Sequence, residues 1–247
     1  MRVLVDADTI AFASAASAED DDLWKATSRA NEWVERILVA CSATEYELWL
    51  SGSDNFRYRY YPEYKATRLG AYRPRWEKDV KDFLVDQWQA NWSSGCEADD
   101  MVGVRQSDST IIAHIDKDID MIPGNHYNWE LTRLGKVLRP ETKYYISDTE
   151  SYRRFYYQML IGDTTDNIKG VVGIGKIKAT ELLSGIEDPY EMFNTVRQAY
   201  GNDEEMEMNA KVLWIWRKDN DIFNMEEWLN KTAIRKEQGK TLTEDGT

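Results

Sequence analysis

Cysteine is almost missing from this chain of 247 residues: Cys41 and Cys96 are the two present, which points to neither a disulfide framework nor a zinc site. No run of eighteen apolar residues occurs, so no segment reads as a membrane-spanning helix. The opening MRVLVDADTIAF places two acids where a secretory signal needs an unbroken apolar stretch, so secretion is not expected and a cytoplasmic location is. There is no internal repeat and no low-complexity linker. Positive charge is scarce too: 31 Lys and Arg against 44 Asp and Glu leave a net −13, which at face value disfavours a polyanionic partner. What is plentiful is core material. A hydrophobic share of 42% with ten tryptophans excludes wholesale disorder, and the length suits one large or two small domains.

Along the chain, Arg2-Val3-Leu4-Val5 reads as a buried strand running into Asp6. After the acidic run Glu19 to Asp22, apolar residues recur at Leu23, Ala26, Ala30, Trp33, Val34, Ile37, Leu38 and Cys41, a helical spacing with acids at its start. Glu47 to Leu50 reads as a second strand and residues 110–115 as a third, ending in Asp116. Strands and helices in alternation predict an α/β fold with a mainly parallel central sheet flanked by helices. In such sheets functional groups collect beyond the carboxyl ends of the strands. From about 148 the pattern is mostly helical, and the tail from 236 is polar.

Four acidic motifs carry the chemistry. They are Asp6 at a strand end; Glu97, Asp99 and Asp100 in CEADDMVGV; Asp116 and Asp118 in IDKDIDMIPG; and Asp163 and Asp166 in IGDTTDNIKG. Extended chain would turn Asp116 and Asp118 to one side, and a helical turn would bring Asp163 to the same face as Asp166, as it would Glu97 and Asp100. Any one pair is most simply a cap or a solvated charge. Eight carboxylates that converge cannot all stay ionised without cations, and hard divalent ions such as Mg²⁺ are the natural remedy. Two such ions form the clamp used for phosphoryl transfer.

Two further segments suit a nucleic acid. In Ile168 to Lys176 the glycines follow an acidic turn rather than a strand, which excludes a dinucleotide fingerprint and predicts a glycine hairpin with a helix from near Lys176. Small residues and helix-start amides there can approach phosphate, with Lys176 and Lys178 adding charge. Residues 57–81 hold eight basic residues against three acids, a local +5, interleaved with six aromatics. That is the equipment of a single-strand binding element.

The order Asp6, YKATR, EADD, DKD and GDTTDNIKGVVGIG resembles the 5′-nuclease superfamily, which includes flap endonucleases, the 5′-nuclease domain of DNA polymerase I and bacteriophage 5′–3′ exonucleases. The resemblance runs from about residue 3 to 185. It implies a PIN-like 5′-nuclease fold as a single domain over 1–235, with a helical arch at about 54–82, a helix–hairpin–helix region at about 151–185, and a polar tail at 236–247. It implies hydrolysis of DNA near 5′ ends, flaps or single-strand/duplex junctions, with RNA in hybrids a further substrate, leaving 5′-phosphate and 3′-hydroxyl. Two Mg²⁺ (or Mn²⁺) would sit on Asp6, Glu97, Asp99, Asp100, Asp116, Asp118, Asp163 and Asp166, and a monovalent cation could join the hairpin. Lys65 and Arg68 match residues that contact the scissile phosphate. Tyr64 matches an aromatic on which a base stacks, and Arg57, Arg73, Arg75, Gly173, Gly175, Lys176 and Lys178 fall where DNA is held. A phage-encoded, monomeric protein in the host cytoplasm is the corresponding expectation. Two departures stand out: a strand-end Asp is replaced near Gly52, with Asp54 as the nearest substitute, and the hairpin lysine aligns with Ile177.

Three other readings compete, one of them a small toxin-type ribonuclease, which shares the Asp and Glu framework but lacks the arch and the glycine hairpin. Val5-Asp6-Ala7-Asp8-Thr9 fits the DxDxT motif of haloacid-dehalogenase-type phosphatases, with Asp6 as nucleophile and Asp8 as acid–base. It leaves EADD, DKD and the hairpin unexplained. A non-catalytic DNA-binding protein is the third, against which the carboxylates argue, since binding alone gains nothing from acids facing phosphate.

Overall fold

The computed structural model describes residues 1–133 and 136–231; the polar tail expected at 236–247 lies outside them. In chain order the first elements are β1 (Arg2–Asp6), α1 (Asp8–Ser17), α2 (Leu23–Ala40), β2 (Glu45–Leu50), α3 (Arg57–Tyr60), α4 (Glu77–Trp88), β3 (Asn91–Trp92), α5 (Ala98–Arg105), β4 (Thr110–Ala113) and β5 (Gly124–Asn128). There follow β6 (Leu131–Arg133), β7 (Lys136–Arg139), β8 (Thr142–Ile146), α6 (Asp148–Ile161), β9 (Gly162–Asp163), β10 (Ile168–Lys169), α7 (Lys176–Leu183), α8 (Pro189–Tyr200) and α9 (Asp203–Leu213). No helix among the described residues is long and apolar enough to cross a membrane.

The residues fall into two compact units. The first comprises Met1–Phe56, Arg68–Ser151 and Ile215–Asp221; the second comprises Arg57–Thr67, Tyr152–Trp214 and the chain from Ile222.

The first unit is built on a six-stranded sheet in the order β3-β2-β1-β4-β5-β8. All neighbours are parallel except β5 and β8, so the expected mainly parallel sheet is present. β1 is a continuous apolar run because it is central: Val3, Leu4 and Val5 are buried, with Val5 in register with Leu48 on one side and Ala113 on the other. Val3, Val5, Leu48, Leu50, Ile111 and Ala113 join Ile10, Ala11, Ala30, Val34, Ile37, Val80 and Leu84 of α1, α2 and α4 in one cluster. α5 packs against β1 and β2, and its buried Val102 stands outside that cluster. The sheet thus ends, along one edge, in the loops that follow β1, β2 and β4.

The second unit is helical and aromatic. Phe155 meets Trp214 edge-on at 4.9 Å, Phe223 stacks on Trp228 at 5.9 Å, and Phe193 and Tyr190 flank the same Trp228. Its helices are capped by local chemistry. The Asp188 carboxylate accepts from the amide of Tyr190 and Pro189 opens α8, while Asn202 accepts from Glu204 and Glu205 at the start of α9. The acidic run from Asp203 therefore occupies a helix's first turn, where negative charge is favoured.

The basic stretch at 54–82 is helical over Arg57–Tyr60, forms a 3₁₀ turn at Ala66–Arg68, and becomes regular again only in α4. Pro62, Gly70 and Pro74 interrupt it. Glu19 anchors its distal part: one carboxylate oxygen accepts from the Tyr72 hydroxyl at 2.6 Å and from the Arg75 amide at 3.0 Å. Those bonds hold Glu19 below the usual carboxylate range and push Tyr72 up to about 12. Part of the acidic run Glu19 to Asp22 is therefore a fastening.

Candidate functional site

In the first unit the strand ends set the stage. Asp6 closes β1 and is 4% exposed. Its oxygens accept from the Asp8 amide and the Thr9 hydroxyl, both at 3.2 Å. Burial pushes its carboxyl up to about 7, helped by the like charges of Asp8 and Asp116. Asp116 lies beyond β4, the strand next to β1, which is how two acids distant in sequence come to oppose each other. The start of α5 docks at the end of β2, where the Ala98 amide donates to Ser51 Oγ at 3.0 Å. That places Glu97 and Asp99, both partly exposed, along the same edge.

Several expectations need correction. Asp116 and Asp118 are not on extended chain: Asp118 begins a 3₁₀ turn over Asp118–Met121, and its amide donates to Asp116 Oδ1 at 2.9 Å. Asp100 is fully buried and already occupied, Oδ2 by the Glu97 amide and Oδ1 by the Trp216 amide, at 3.0 and 3.1 Å. It closes a capping box with Glu97 and holds the chain at Trp216, a structural duty the sequence reading did not foresee. At Gly52, where the strand-end acid was expected, the backbone runs close to its neighbour. A Cβ there would lie 2.3 Å from the Ser93 carbonyl oxygen, so no side chain fits. Asp54, the nearest acid, accepts from the Gly95 amide through Oδ2 at 2.8 Å and fixes that loop.

In the second unit the GDTTDN motif is a turn between β9 and β10, not a helix. Asp163 Oδ1 accepts from the amides of Thr165 and Asp166, and Oδ2 accepts from Gln158 Nε2, so Asp163 shapes the turn that presents Asp166. The YKATR segment is laced to that turn. Tyr61 donates to the Asn167 carbonyl, Tyr64 to Asp166 Oδ2, the Lys65 amide to the Asp166 carbonyl, and Thr67 to the Thr165 carbonyl, at 2.9, 3.0, 2.9 and 2.6 Å. Lys65 sits there in the left-handed region, φ 57°, a strained state the lacing enforces. Two motifs a hundred residues apart are therefore one piece of structure.

The same lacing corrects Tyr64, which is buried at 4% exposure and spends its hydroxyl on Asp166, so it offers no free face for a base. Arg57 is likewise buried, its guanidinium donating to the carbonyls of Val212 and Trp214 at 2.8 and 3.0 Å. It fastens α3 and is covered, not displayed on the surface as a DNA contact would be. Arg68, Arg73, Arg75, Lys176 and Lys178 are exposed. The helix expected near Lys176 begins there, with Gly175 as its cap and Gly173 at φ 79° in the turn before it.

Sequence reasoning missed the part played by Asp8. Its carboxylate pairs with Lys81 at 2.7 Å and accepts from the Ser51 amide at 2.9 Å, while raising Asp6. The signal was present, an acid two residues past a strand end. Among the described residues, the one group of three or more His, Cys, Asp or Glu whose ligand atoms all lie within 4.8 Å of each other is His114, Asp120 and His126. The predicted carboxylates of the first unit do not approach one another that closely in threes.

With that geometry in hand, the fold can be placed in a class: it is the fold seen in bacteriophage 5′-nucleases. No protein-family model matches the chain. The zinc-bound bacteriophage T5 5′-exonuclease is similar at a TM-score of 0.64 and 17% identity, over 86% of this chain and 89% of that one. The T5 D15 flap endonuclease in complex with DNA and metal ions is similar at 0.64 and 16%, over 94% and 97%. The T5 D15 protein co-crystallised with metal ions is similar at 0.61 and 17%, over 84% and 86%.

Proposed function

We propose that the chain is a divalent-metal-dependent 5′-nuclease that hydrolyses DNA phosphodiesters near 5′ ends, flaps or junctions and leaves 5′-phosphate and 3′-hydroxyl. The observation that carries this is Asp6: a carboxylate at the end of a central parallel strand, buried, and crowded by Asp8 and Asp116. A protein gains no stability from such an arrangement, but a cation relieves it. The donors nearby are all hard oxygens, which suits Mg²⁺ or Mn²⁺.

Asp6, Glu97, Asp99, Asp116 and Asp118 of the first unit are proposed as metal carboxylates, and Asp163 and Asp166 of the second unit likewise. When bound, such ions supply Lewis-acid charge that acidifies water and neutralises a departing oxygen. The chain's own groups do the positioning. Thr9 and the Asp8 amide hold Asp6 by its two oxygens, and the Asp118 amide holds Asp116. Lys65, on its strained backbone, and Arg68 would neutralise charge on the phosphate from fixed positions. The phosphatase reading fares worse, because it needs Asp8 to move protons, and Asp8 is held by Lys81 and the Ser51 amide.

The test is cleavage of labelled flapped and blunt duplexes in Mg²⁺, with EDTA as control. Cleavage should leave 5′-phosphates, vanish in EDTA, and fall at least about a hundredfold in Asp6→Asn, given the several kcal/mol that metal charge supplies. Full activity in Asp6→Asn, or turnover of a small phosphomonoester instead of DNA, would sink the reading.

A further inference from the structure

The chain has two histidines, and both are completely buried side by side at the end of β4 and on β5. His114 Nδ1 lies 2.6 Å from the Asp116 carbonyl oxygen, and His126 Nε2 lies 2.8 Å from the Ile122 carbonyl oxygen. A carbonyl oxygen can only accept, so those two ring nitrogens carry the hydrogens. On neutral rings the remaining nitrogens, His114 Nε2 and His126 Nδ1, then present lone pairs to each other at 2.9 Å. Two facing lone pairs repel unless something positive lies between them. Asp120 Oδ1 stands 3.7 Å from the same His114 nitrogen. The Tyr144 hydroxyl completes the group, 3.3 Å from His114 Nε2 and donating to Asp120 at 2.7 Å.

We propose that His114, His126 and Asp120, with the Tyr144 oxygen as fourth donor, bind one structural divalent transition ion of the zinc class. The donor chemistry differs from that of the strand-end acids: imidazole selects zinc-like ions, whereas oxygen-only sets suit Mg²⁺. Ligands at 2.0–2.1 Å from a tetrahedral ion are roughly 3.4 Å apart, a value bracketed by the 2.9, 3.3 and 3.7 Å separations around His114 Nε2. Each imidazole already donates its other N–H to a backbone carbonyl, the outer-shell support that zinc-bound histidines have. The group ties together the end of β4, the middles of β5 and β8, and the 3₁₀ turn carrying Asp120. Through His114 Nδ1 it also pins the carbonyl of Asp116, so the ion would set the backbone from which a strand-end acid projects.

The full chain, stripped with a chelator and held in excess Mg²⁺ to fill oxygen-only sites, is titrated with Zn²⁺ and, separately, Co²⁺. We expect about one equivalent of Zn²⁺ retained through gel filtration, as a closed four-coordinate site requires. Co²⁺ should give the intense visible band of tetrahedral N/O ligation. Both histidines should shift their ring-nitrogen resonances on zinc addition, a clean measurement because the chain has two. His126→Gln and Asp120→Asn should each weaken zinc retention by at least about tenfold. If either variant fails to fold, the wild-type imidazole spectrum decides alone. Zinc not retained over Mg²⁺, zinc bound with both histidines unmoved, or an imidazole–imidazolium pair sharing a proton and indifferent to zinc would each overturn the proposal.

Discussion

Asp6 shows what a single side chain can report about its surroundings. Its carboxyl titrates near 7 in the folded protein against 3.8 in the open chain, because burial and then Asp8 and Asp116 oppose its charge. Between those values the folded protein keeps a proton that the unfolded chain has released. Stability without metal must therefore fall as pH rises from about 4 and level off above about 7, by a few kcal/mol for a shift of this size. Asp6→Asn keeps an oxygen for the Asp8 amide and removes the charge. In EDTA it should match wild type near pH 4 and exceed it by a few kcal/mol at pH 8, as read by urea denaturation. Adding Mg²⁺ should close that gap from the wild-type side. A difference independent of pH would mean that Asp6 does not carry the buried charge. The histidine pair belongs to the same scale, but nothing in the sequence announced it. His114 and His126 lie twelve positions apart, one just past the end of β4 and one within β5, and the pairing of those strands brings them together.

The stretch from α6 through β9 and β10 depends on Gly162 and Gly170 for backbone approach. A Cβ on Gly170 would lie 2.3 Å from the Ile161 carbonyl carbon and 2.5 Å from the Gly162 nitrogen. Gly170→Ala should thus cost roughly 1–3 kcal/mol or more by forcing the β9–β10 pair apart, and with it the turn that holds Asp163 and Asp166. Gly173→Ala meets nothing within 4 Å and should cost only about 1 kcal/mol for its positive φ. Thermal denaturation of the two variants checks the order, and equal losses would refute the close-approach account. Elements with a strong pattern were legible beforehand. Val3–Val5, Glu47–Leu50, residues 110–113 and the helix from Leu23 all appear, because apolar spacing is decided by the same burial that forms them. β5, with the sequence GNHYN, was not, since its residues are buried through hydrogen-bonded His126 and Asn128 and not through apolar alternation. Spacing also misjudged the paired acids. At Asp116–Asp118 and Asp163–Asp166, side-chain acceptance from backbone amides two or three residues on makes turns, overriding both strand and helix.

For the molecule as a whole, a net charge of −13 sits uneasily with a polyanionic substrate. The +5 stretch at 57–81 is less available than its composition suggests. Arg57 is buried on carbonyls, and Lys81 pairs with Asp8 at partial burial. Lys78–Asp82 is an exposed pair and Arg73 is exposed on a largely covered Glu77; solvent-exposed pairs hold together by about 0–1 kcal/mol and can be exchanged for phosphate. If Lys65, Arg68, Arg73, Arg75, Lys176 and Lys178 are the phosphate contacts, each contributes about −0.9 to the slope of log K against log salt on duplex DNA. Binding of a flapped duplex, measured in Ca²⁺ to suppress turnover, should then show a slope no steeper than about −5. Arg68→Gln should flatten it by about 1. Arg57→Lys should leave the slope untouched while lowering the denaturation midpoint, because a lysine cannot serve both the Val212 and Trp214 carbonyls in the fixed fork of a guanidinium. A slope that changes with Arg57 but not with Arg68 would show that the buried arginine is released on binding, and the division between fastening and binding cations would have to be redrawn.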